Sequence, residues 1–472
     1  LRHSGARYAV RDPGSAAECA VESRTLKRIA PHCIEDTGGL FIRLSGEDES
    51  FVPRFVDGCR TCGVSAVQLT KKEIYALEPE LSSSVEEGFA VQDGSVDPFR
   101  LVLSNIDSAR EAGATVHNHC SVTAMDVSQG EVRSVTYQDH RNGEVTKVEP
   151  DIVINAAGAW ADQVAALAGC RIEMTKDFGA MLVYNGRLVD RLINRLRPPA
   201  DGDIIVPNHT AMIIGTTSRS VHDPQAARPN LDEVASLMAQ AEAVVPRMKG
   251  CRIVRTYGGS RPLAASSAGR GASRSFRMIA HTDEGAENLI SVVGGKLTTY
   301  RLMAEAVTDK VADMLGKMSE CRTGTEPLVM EDPGASYGLL DHEVRSLRRR
   351  YGGLPYGMTR SNRTIEPGGP VCTCEQVMRF ELDHFAASDD VLDISDLMRR
   401  TRAGMGFCQS LDCAWEMLSA LAKAGKWDGS LLSQFHAERS KGIRPVLGGD
   451  QLRQEIFTMH VIDHDGWEGD GP

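Results

Sequence analysis

The chain reads as an α/β protein with an antiparallel sheet inserted into it and a small helical, cysteine-bearing module appended. Three observations predict this. Asp151-Ile-Val-Ile-Asn155 and Leu289-Ile-Ser-Val-Val293 are short runs, apolar on both faces, that turn at Ala156-Ala-Gly158 and Gly294-Gly-Lys296 into helical patterns. Such strand–glycine–helix units build the buried parallel sheet of a Rossmann-like, nucleotide-binding domain. From about 176 to 282 short strands between turns replace that pattern: Ala180–Tyr184, Asp203–Val206, Ala211–Gly215, Arg252–Tyr257 and Phe276–Ala280. Finally, Cys372-Thr-Cys374 is answered by Cys408 and Cys413 in Arg402-Ala-Gly-Met-Gly-Phe-Cys408-Gln-Ser-Leu-Asp-Cys413.

The elements before the inserted sheet follow from local signals. Ser15 to Ala30 is a helix stopped by Pro31, and Gly39 to Leu44 a strand. Phe51 to Gly63 is a helix, followed by a strand over Val64 to Leu69. Thr70-Lys-Lys-Glu73 has capping-box spacing and opens a short helix ending near Pro79. Asp97-Pro98 starts a helix through Ala112, closed by Gly113. Ala114–His119 and Gly130–Tyr137 alternate as antiparallel strands. His117 and His119 would then share one strand face, and without matching Cys or carboxylate spacing they read as edge-strand histidines rather than metal ligands.

After Gly294 the apolar positions Leu297, Tyr300, Ala304, Val307, Val311 and Leu315 fall at helical spacing. Residues 319–370 form a charged, Pro/Gly-rich linker with a helix over Asp341 to Tyr351, whose Arg345–Arg350 run reads as a solvated face. Residues 371–426 form the cysteine module, with helices near Leu392–Arg400 and Ala414–Ala424. Residues 427–472 are a tail, acidic at its end.

A chain of 472 residues holds about two to four domains. Its formal net charge of −11 argues against nucleic acid as the main partner. No apolar run reaches the ~18 residues of a membrane span. Twelve dispersed cysteines suit a reducing cytosol better than a secreted disulfide framework. The chain opens on Leu1 rather than Met, which suggests a missing N-terminal segment.

Four thiolates suit a tetrahedral zinc or an iron–sulfur cluster. A one-residue gap paired with C-x4-C is poor for zinc knuckles. The R-x-G-M-G-x-C-Q-x3-C pattern resembles the [2Fe-2S] domain of the bacterioferritin-associated ferredoxin type, implying Cys372, Cys374, Cys408 and Cys413 as iron ligands.

Six further motifs occur in order: His3-Ser-Gly-Ala-Arg7-Tyr8, Asp93-Gly-Ser-Val-Asp-Pro-Phe-Arg100, Ile154-Asn-Ala-Ala-Gly-Ala-Trp160, Ile214-Gly-Thr-Thr217, Tyr257-Gly-Gly-Ser-Arg261-Pro-Leu and Gly294-Gly-Lys296-Leu-Thr-Thr-Tyr-Arg301. Together they resemble FAD-dependent glycerol-3-phosphate dehydrogenase over nearly the whole chain. With the cysteine module, they resemble the catalytic A subunit of the anaerobic, quinone-linked enzyme.

The resemblance implies an FAD-dependent domain over 1–318 that oxidises sn-glycerol 3-phosphate to dihydroxyacetone phosphate. It implies two partners, namely a membrane-anchoring iron–sulfur subunit and a second flavoprotein subunit, with menaquinone as indirect acceptor, on the cytoplasmic face of the membrane. It places Ser4, Gly5, Ala157, Gly158, Trp160, Gly294, Gly295, Lys296, Leu297 and Thr298 at the flavin. Arg7 and Tyr8 go to the substrate phosphate, Arg261 to the C2 oxygen, Thr217 is a neutral donor, and Arg261 with Lys296 are catalytic. The base is Lys296 or His3.

Two departures stand out. The family's opening strand with its G-x-G-x-x-G turn is absent, and Phe178-Gly179 stands where relatives commonly carry Lys-Gly. Two alternatives remain: a flavin oxidase or dehydrogenase of an amino or hydroxy acid, and a non-catalytic iron–sulfur electron-transfer subunit.

Overall fold

The computed structural model describes residues 1–264, 275–331, 339–358, 369–410 and 412–464. Its centre is a nine-stranded sheet organised on the long strand Met174–Asn185. On one side this strand pairs with Ile253–Ala264. On the other it meets Arg219–Val221 and Ala211–Gly215, and the sheet continues through Ile204–Asn208, Leu192–Arg195, Gly39–Leu44, Val85–Val91 and Ala66–Leu69. Every pairing is antiparallel except Leu192–Arg195 with Gly39–Leu44.

The period-2 pleat separates two faces. Phe178, Ala180, Leu182, Tyr184, Ile205, Met212 and Ile214 point into the main core, with Leu237, Ala241 and Val244 of the helix Leu231–Val244 packed against them. A capping box at Asn230 and Glu233 starts that helix. The alternate residues Gly179, Met181, Ile204, Val206, Ile213 and Gly215 face a large cavity.

The sheet is larger than the inserted one expected over 176–282, because Gly39–Leu44, Ala66–Leu69 and Val85–Val91 join it. All six residues of Gly39–Leu44 are buried, as befits an interior strand. Phe276–His281, expected in the inserted sheet, instead pairs antiparallel with Ala286–Gly294, which runs parallel to Val153–Asn155. Alternation shows that a segment is a strand but not which sheet it joins. Val153–Asn155 was expected buried on both faces. It lies at the edge of this three-stranded sheet, and Ile154 is 46% exposed.

Other local expectations are met or revised. The Thr70–Glu73 capping box forms, and Asp97 caps the helix Pro98–Glu111 by accepting from the Arg100 N–H at 3.0 Å. Residues 114–119 are not a strand; pairing begins at Cys120–Ser128. His119 takes a left-handed backbone (φ 55°) and its Nε2 meets Asp396 at 2.8 Å, whereas His117 stacks on Tyr137, so the two histidines share no strand face. A tertiary contact has overridden the local pattern.

Arg350, on the helix Asp341–Tyr351, is buried rather than solvated and pairs with Glu381 of the helix Arg379–Ala386. The supposed tail contains the helices Leu431–Ile443 and Gly449–His464. Gly442 lies directly on the sheet: the Thr256 hydroxyl donates to its carbonyl at 3.0 Å, and a Cβ there would stand 2.5 Å from the Thr256 carbonyl oxygen. The acidic end, 465–472, lies outside the described residues. Among the described residues no helix is long and apolar enough to cross a membrane.

Candidate active site and cysteine centre

The cavity measures about 800 Å³. One wall is the central sheet. A second comes from the N-terminal turn, with His3, Arg7 and Tyr8, and a third from Gly295, Lys296, Leu297 and Thr298. The third wall follows from its sequence. Gly294 and Gly295 take φ of +91° and +81°, and Cβ atoms there would stand 2.6 Å from the Ser275 carbonyl oxygen and 2.3 Å from the Met303 sulfur. Only glycine fits such a turn. The helix expected from Leu297 starts with a 3-10 turn, Leu297–Thr299, and becomes α-helical over Tyr300–Met314.

Each predicted arginine is held by a buried carboxylate. Arg7 pairs with Asp203 at 3.0 Å, and Arg261 pairs with Asp177 at 2.6 Å while donating to the Thr216 hydroxyl at 2.5 Å. Gly179 makes room for that guanidinium, since a Cβ at 179 would stand 2.2 Å from Arg261 Nη2. These carboxylates fix two forked cations at the cavity wall. The Lys296 ammonium lies 5.3 Å from the Tyr8 ring centroid, a cation–π contact. The His3 ring packs edge-on against Tyr8, and its Nδ1 is buried without a hydrogen-bond partner among the described residues. Burial above all, with the positive charges of Arg7 and Lys296, pushes the His3 pKa well below the ordinary histidine value. A neutral imidazole at neutral pH follows.

Thr217 does not reach the cavity. Its hydroxyl donates to Glu233 at 2.8 Å and accepts from the Ala180 N–H at 2.8 Å, and it is the neighbouring Thr216 that lines the wall. Adjacent residues of an extended chain face opposite ways, which corrects the assignment. Ser4 and Gly5 lie behind His3: the Ser4 N–H donates to buried Asp93 at 2.7 Å, and Gly5 (φ +104°) abuts the Ala16 carbonyl. Ala157, Gly158 and Trp160 follow the Val153–Asn155 strand, with Trp160 41% exposed, and do not line the cavity. Phe178 packs in the main core rather than facing the cavity.

The four cysteines predicted as a set do meet. Cys372 and Cys374 sulfurs are 3.7 Å apart, Cys374 and Cys408 are 3.5 Å apart, and Cys413 hydrogen-bonds to Cys372. Hydrogen bonds from Cys374 and then Cys413 lower the pKa of the Cys372 thiol. The motif glycines are explained by close approach: a Cβ on Gly406 would stand 2.5 Å from Cys374 Sγ and one on Gly404 2.7 Å from Ser410 Cβ. Gln376, Arg402, Gln409 and Ser410 all take left-handed backbones around the thiols. Non-glycine residues persist there only when their surroundings impose it, a concentration typical of functional sites.

Several residues with no assigned sequence role complete the arrangement. Arg402 is buried where the cysteine module meets the sheet, reaching Asp97 (2.7 Å), Glu375 (2.9 Å) and Asn208 (3.1 Å). Asn208 also lines the cavity. Thr210, in the same hairpin, donates to Glu375 at 3.0 Å and crowds Gly406 beside Cys374. Arg439, from the helix Leu431–Ile443, bonds Ser410 at 2.9 Å and places a cation near Cys408 and Cys413. Asp97 and Arg402 lay inside recognised motifs. Asp177, Asp203 and Arg439 had no local signal, because their roles depend on contacts across the fold.

A cavity walled by a positive-φ glycine turn and fixed arginines, set on this mixed sheet, defines the class: a flavin-type oxidoreductase. The family described as FAD dependent oxidoreductase matches residues 3–310. The A1 subunit of anaerobic glycerol-3-phosphate dehydrogenase from Haloferax volcanii is 38% identical, over 98% of this chain and 82% of that protein. The A subunit of the anaerobic glycerol-3-phosphate dehydrogenase of Escherichia coli K12 is 37% identical, over 98% of this chain and 88% of that protein. The chain therefore belongs to the FAD-dependent oxidoreductases, in the family of anaerobic glycerol-3-phosphate dehydrogenase A subunits. Among solved structures, the glycerol-3-phosphate dehydrogenase of Bacillus halodurans complexed with FAD shares the fold at a TM-score of 0.69 and 20% identity, covering 91% of this chain and 86% of that one.

Proposed function

We propose that this chain oxidises sn-glycerol 3-phosphate to dihydroxyacetone phosphate and passes the electrons, through partner subunits, toward a quinone. The observation that carries the proposal is the pair of carboxylate-anchored guanidiniums, Arg7 and Arg261, on the walls of one cavity that also presents Lys296 and a neutral His3. A dianionic phosphate is well matched by Arg7 with Tyr8, and a polarised C2 oxygen by Arg261.

The residues fit FAD. The Gly294–Gly295 turn brings backbone close to where a planar ring would lie, and the helix start behind it favours negative charge. Bound there, FAD would supply the hydride acceptor for C2. The chain's own work is to hold the phosphate, orient C2 and take the hydroxyl proton. His3, a neutral imidazole on the cavity wall, is suited to accept that proton, and Lys296 keeps the developing oxyanion neutralised.

The four-thiol group fits a [2Fe-2S] cluster by its donor set, its glycine cradle and the cation of Arg439. The cluster would serve as an electron relay. The Ile204–Asn208 and Ala211–Gly215 hairpin supports this role, since Asn208 lines the cavity and Thr210 abuts the module beside Cys374. A membrane-anchoring iron–sulfur subunit, a second flavoprotein subunit and menaquinone complete the path, with this chain at the inner face of the membrane.

A substrate panel tests the reading. Turnover with glycerol 3-phosphate that collapses in Arg261→Ala supports it; activity confined to amino or hydroxy acids would replace it.

A further inference from the structure

We propose that Cys170, His281 and Glu284 form a site for a divalent metal ion of the zinc class, separate from the cavity and from the four-thiol group, bracing the three-stranded sheet. The sulfur, a ring nitrogen and a carboxylate oxygen of the three all lie within 4.8 Å of one another. They come from three places that the fold brings together: the loop after the helix Ala161–Ala166, the end of Phe276–His281, and the following turn Thr282–Glu284.

The donor set is one that zinc prefers: thiolate, imidazole and carboxylate. At zinc bond lengths of about 2.0–2.3 Å, tetrahedral ligand atoms stand roughly 3.3–3.7 Å apart. His281 Nδ1 and Glu284 Oε2 are now 2.6 Å apart and all three ligand atoms lie within 4.8 Å, so binding a metal needs the thiol drawn in where the set is wider and an outward shift of Glu284. That side chain is 34% exposed and free to make it, whereas Cys170 and His281 are buried.

The surroundings are those of a prepared ligand. His281 Nε2 lies 2.8 Å from the Ser291 hydroxyl, which also receives the Asn155 amide at 3.1 Å. Without a metal, Nδ1–H donates to Glu284; with one bound, the ring proton would sit on Nε2 and donate to Ser291, leaving the Nδ1 lone pair for the metal, the arrangement in which metal-bound histidines are commonly held. The other Glu284 oxygen accepts the Arg171 N–H at 2.8 Å. The fourth coordination position falls to water on the exposed Glu284 side. A simple His–Glu pair would account for Glu284, and Cys170 packs in the core and lies 3.7 Å from the Ala168 carbonyl, but neither contact explains why the thiol, imidazole and carboxylate converge.

Binding releases the thiol proton and ties the loop at 170 to the end of the strand Phe276–His281 and the turn after it. Asn155 and Ser291 carry the same bracing to the turn at 156–158.

The test titrates zinc(II) into the anaerobically purified full chain and into Cys170→Ala and Glu284→Gln. Zinc and iron retained after desalting are measured together with the melting temperature. The expected result is one more zinc equivalent in the parent than in either variant, equal iron in all three, and a zinc-dependent rise in melting temperature in the parent alone. Zinc taken up by the four-thiol group would be common to all three proteins and cancels. Equal zinc retention and an equal thermal response would overturn the site. Loss in Cys170→Ala but not in Glu284→Gln would overturn the three-ligand set.

Discussion

Replacing Gly179 by alanine tests how the sheet positions Arg261. The added Cβ would stand 2.2 Å from Nη2, 2.8 Å from Cζ and 2.9 Å from Nη1 of Arg261. Ordinary contact between heavy atoms is about 3.5–4 Å, so the guanidinium must retreat by roughly 1 Å or more. Its bonds to Asp177 (2.6 Å) and Thr216 (2.5 Å) cannot both survive that movement. A hydrogen bond to a charged group contributes about 1.5–3 kcal/mol. If Arg261 makes such a bond to the substrate's C2 oxygen mainly in the transition state, kcat/KM falls about 10- to 150-fold.

Stability should change little as long as the guanidinium keeps its bond to buried Asp177 and gives up the one to Thr216, because the clash is with the end of a flexible side chain and Gly179 has no positive φ to strain. The assay is steady-state oxidation of glycerol 3-phosphate with an artificial electron acceptor, alongside thermal melts. Unchanged kcat/KM with an unchanged melt would refute the role given to Arg261. A large drop in melting temperature would refute the claim that the glycine serves the site rather than the fold.

Three further outcomes are expected. Serine at Cys372, Cys374, Cys408 or Cys413 should abolish iron retention, whereas Cys33→Ser, at a buried thiol 3.8 Å from the Ser104 hydroxyl, should keep it; equal iron loss in that control would sink the ligand assignment. Arg402→Met leaves Asp97 and Glu375 buried without their shared cation, a change that costs about 3–5 kcal/mol. A lower melting temperature and slowed cluster reduction should follow, with substrate reduction of the flavin less affected; intact cluster reduction would contradict the relay. Burial raises the Glu78 carboxyl to about 7, so the folded state binds a proton there that the unfolded chain releases at about 4.3. The stability it contributes is therefore full below the unfolded value and lost as pH rises through about 7. Glu78→Gln should flatten that decline in a pH series of denaturant melts, and an identical slope would show that Glu78 is not its source.

What the sequence disclosed depended on how local each signal was. The Thr70–Glu73 capping box, the Gly294–Gly295 turn and the C-x-C/C-x4-C set are each encoded within a few residues, and each appears where expected. The choice between Thr216 and Thr217 turned on strand phase, which a motif match does not carry. Sheet membership was similarly hidden, so Gly39–Leu44 was legible as a strand but not as part of the cavity-bearing sheet. Asp177, Asp203 and Arg439 are ordinary charged residues until the fold sets them beside Arg261, Arg7 and the thiols. The helices beyond 427 were missed because the acidic, glycine-rich end masked the pattern before it.

The most direct test of the central claim is an anaerobic absorption spectrum of the FAD-supplied protein before and after glycerol 3-phosphate. The account predicts that the flavin bands bleach with the substrate and that iron–sulfur absorption then falls as electrons move on. Flavin that dithionite reduces but glycerol 3-phosphate leaves oxidised would contradict it.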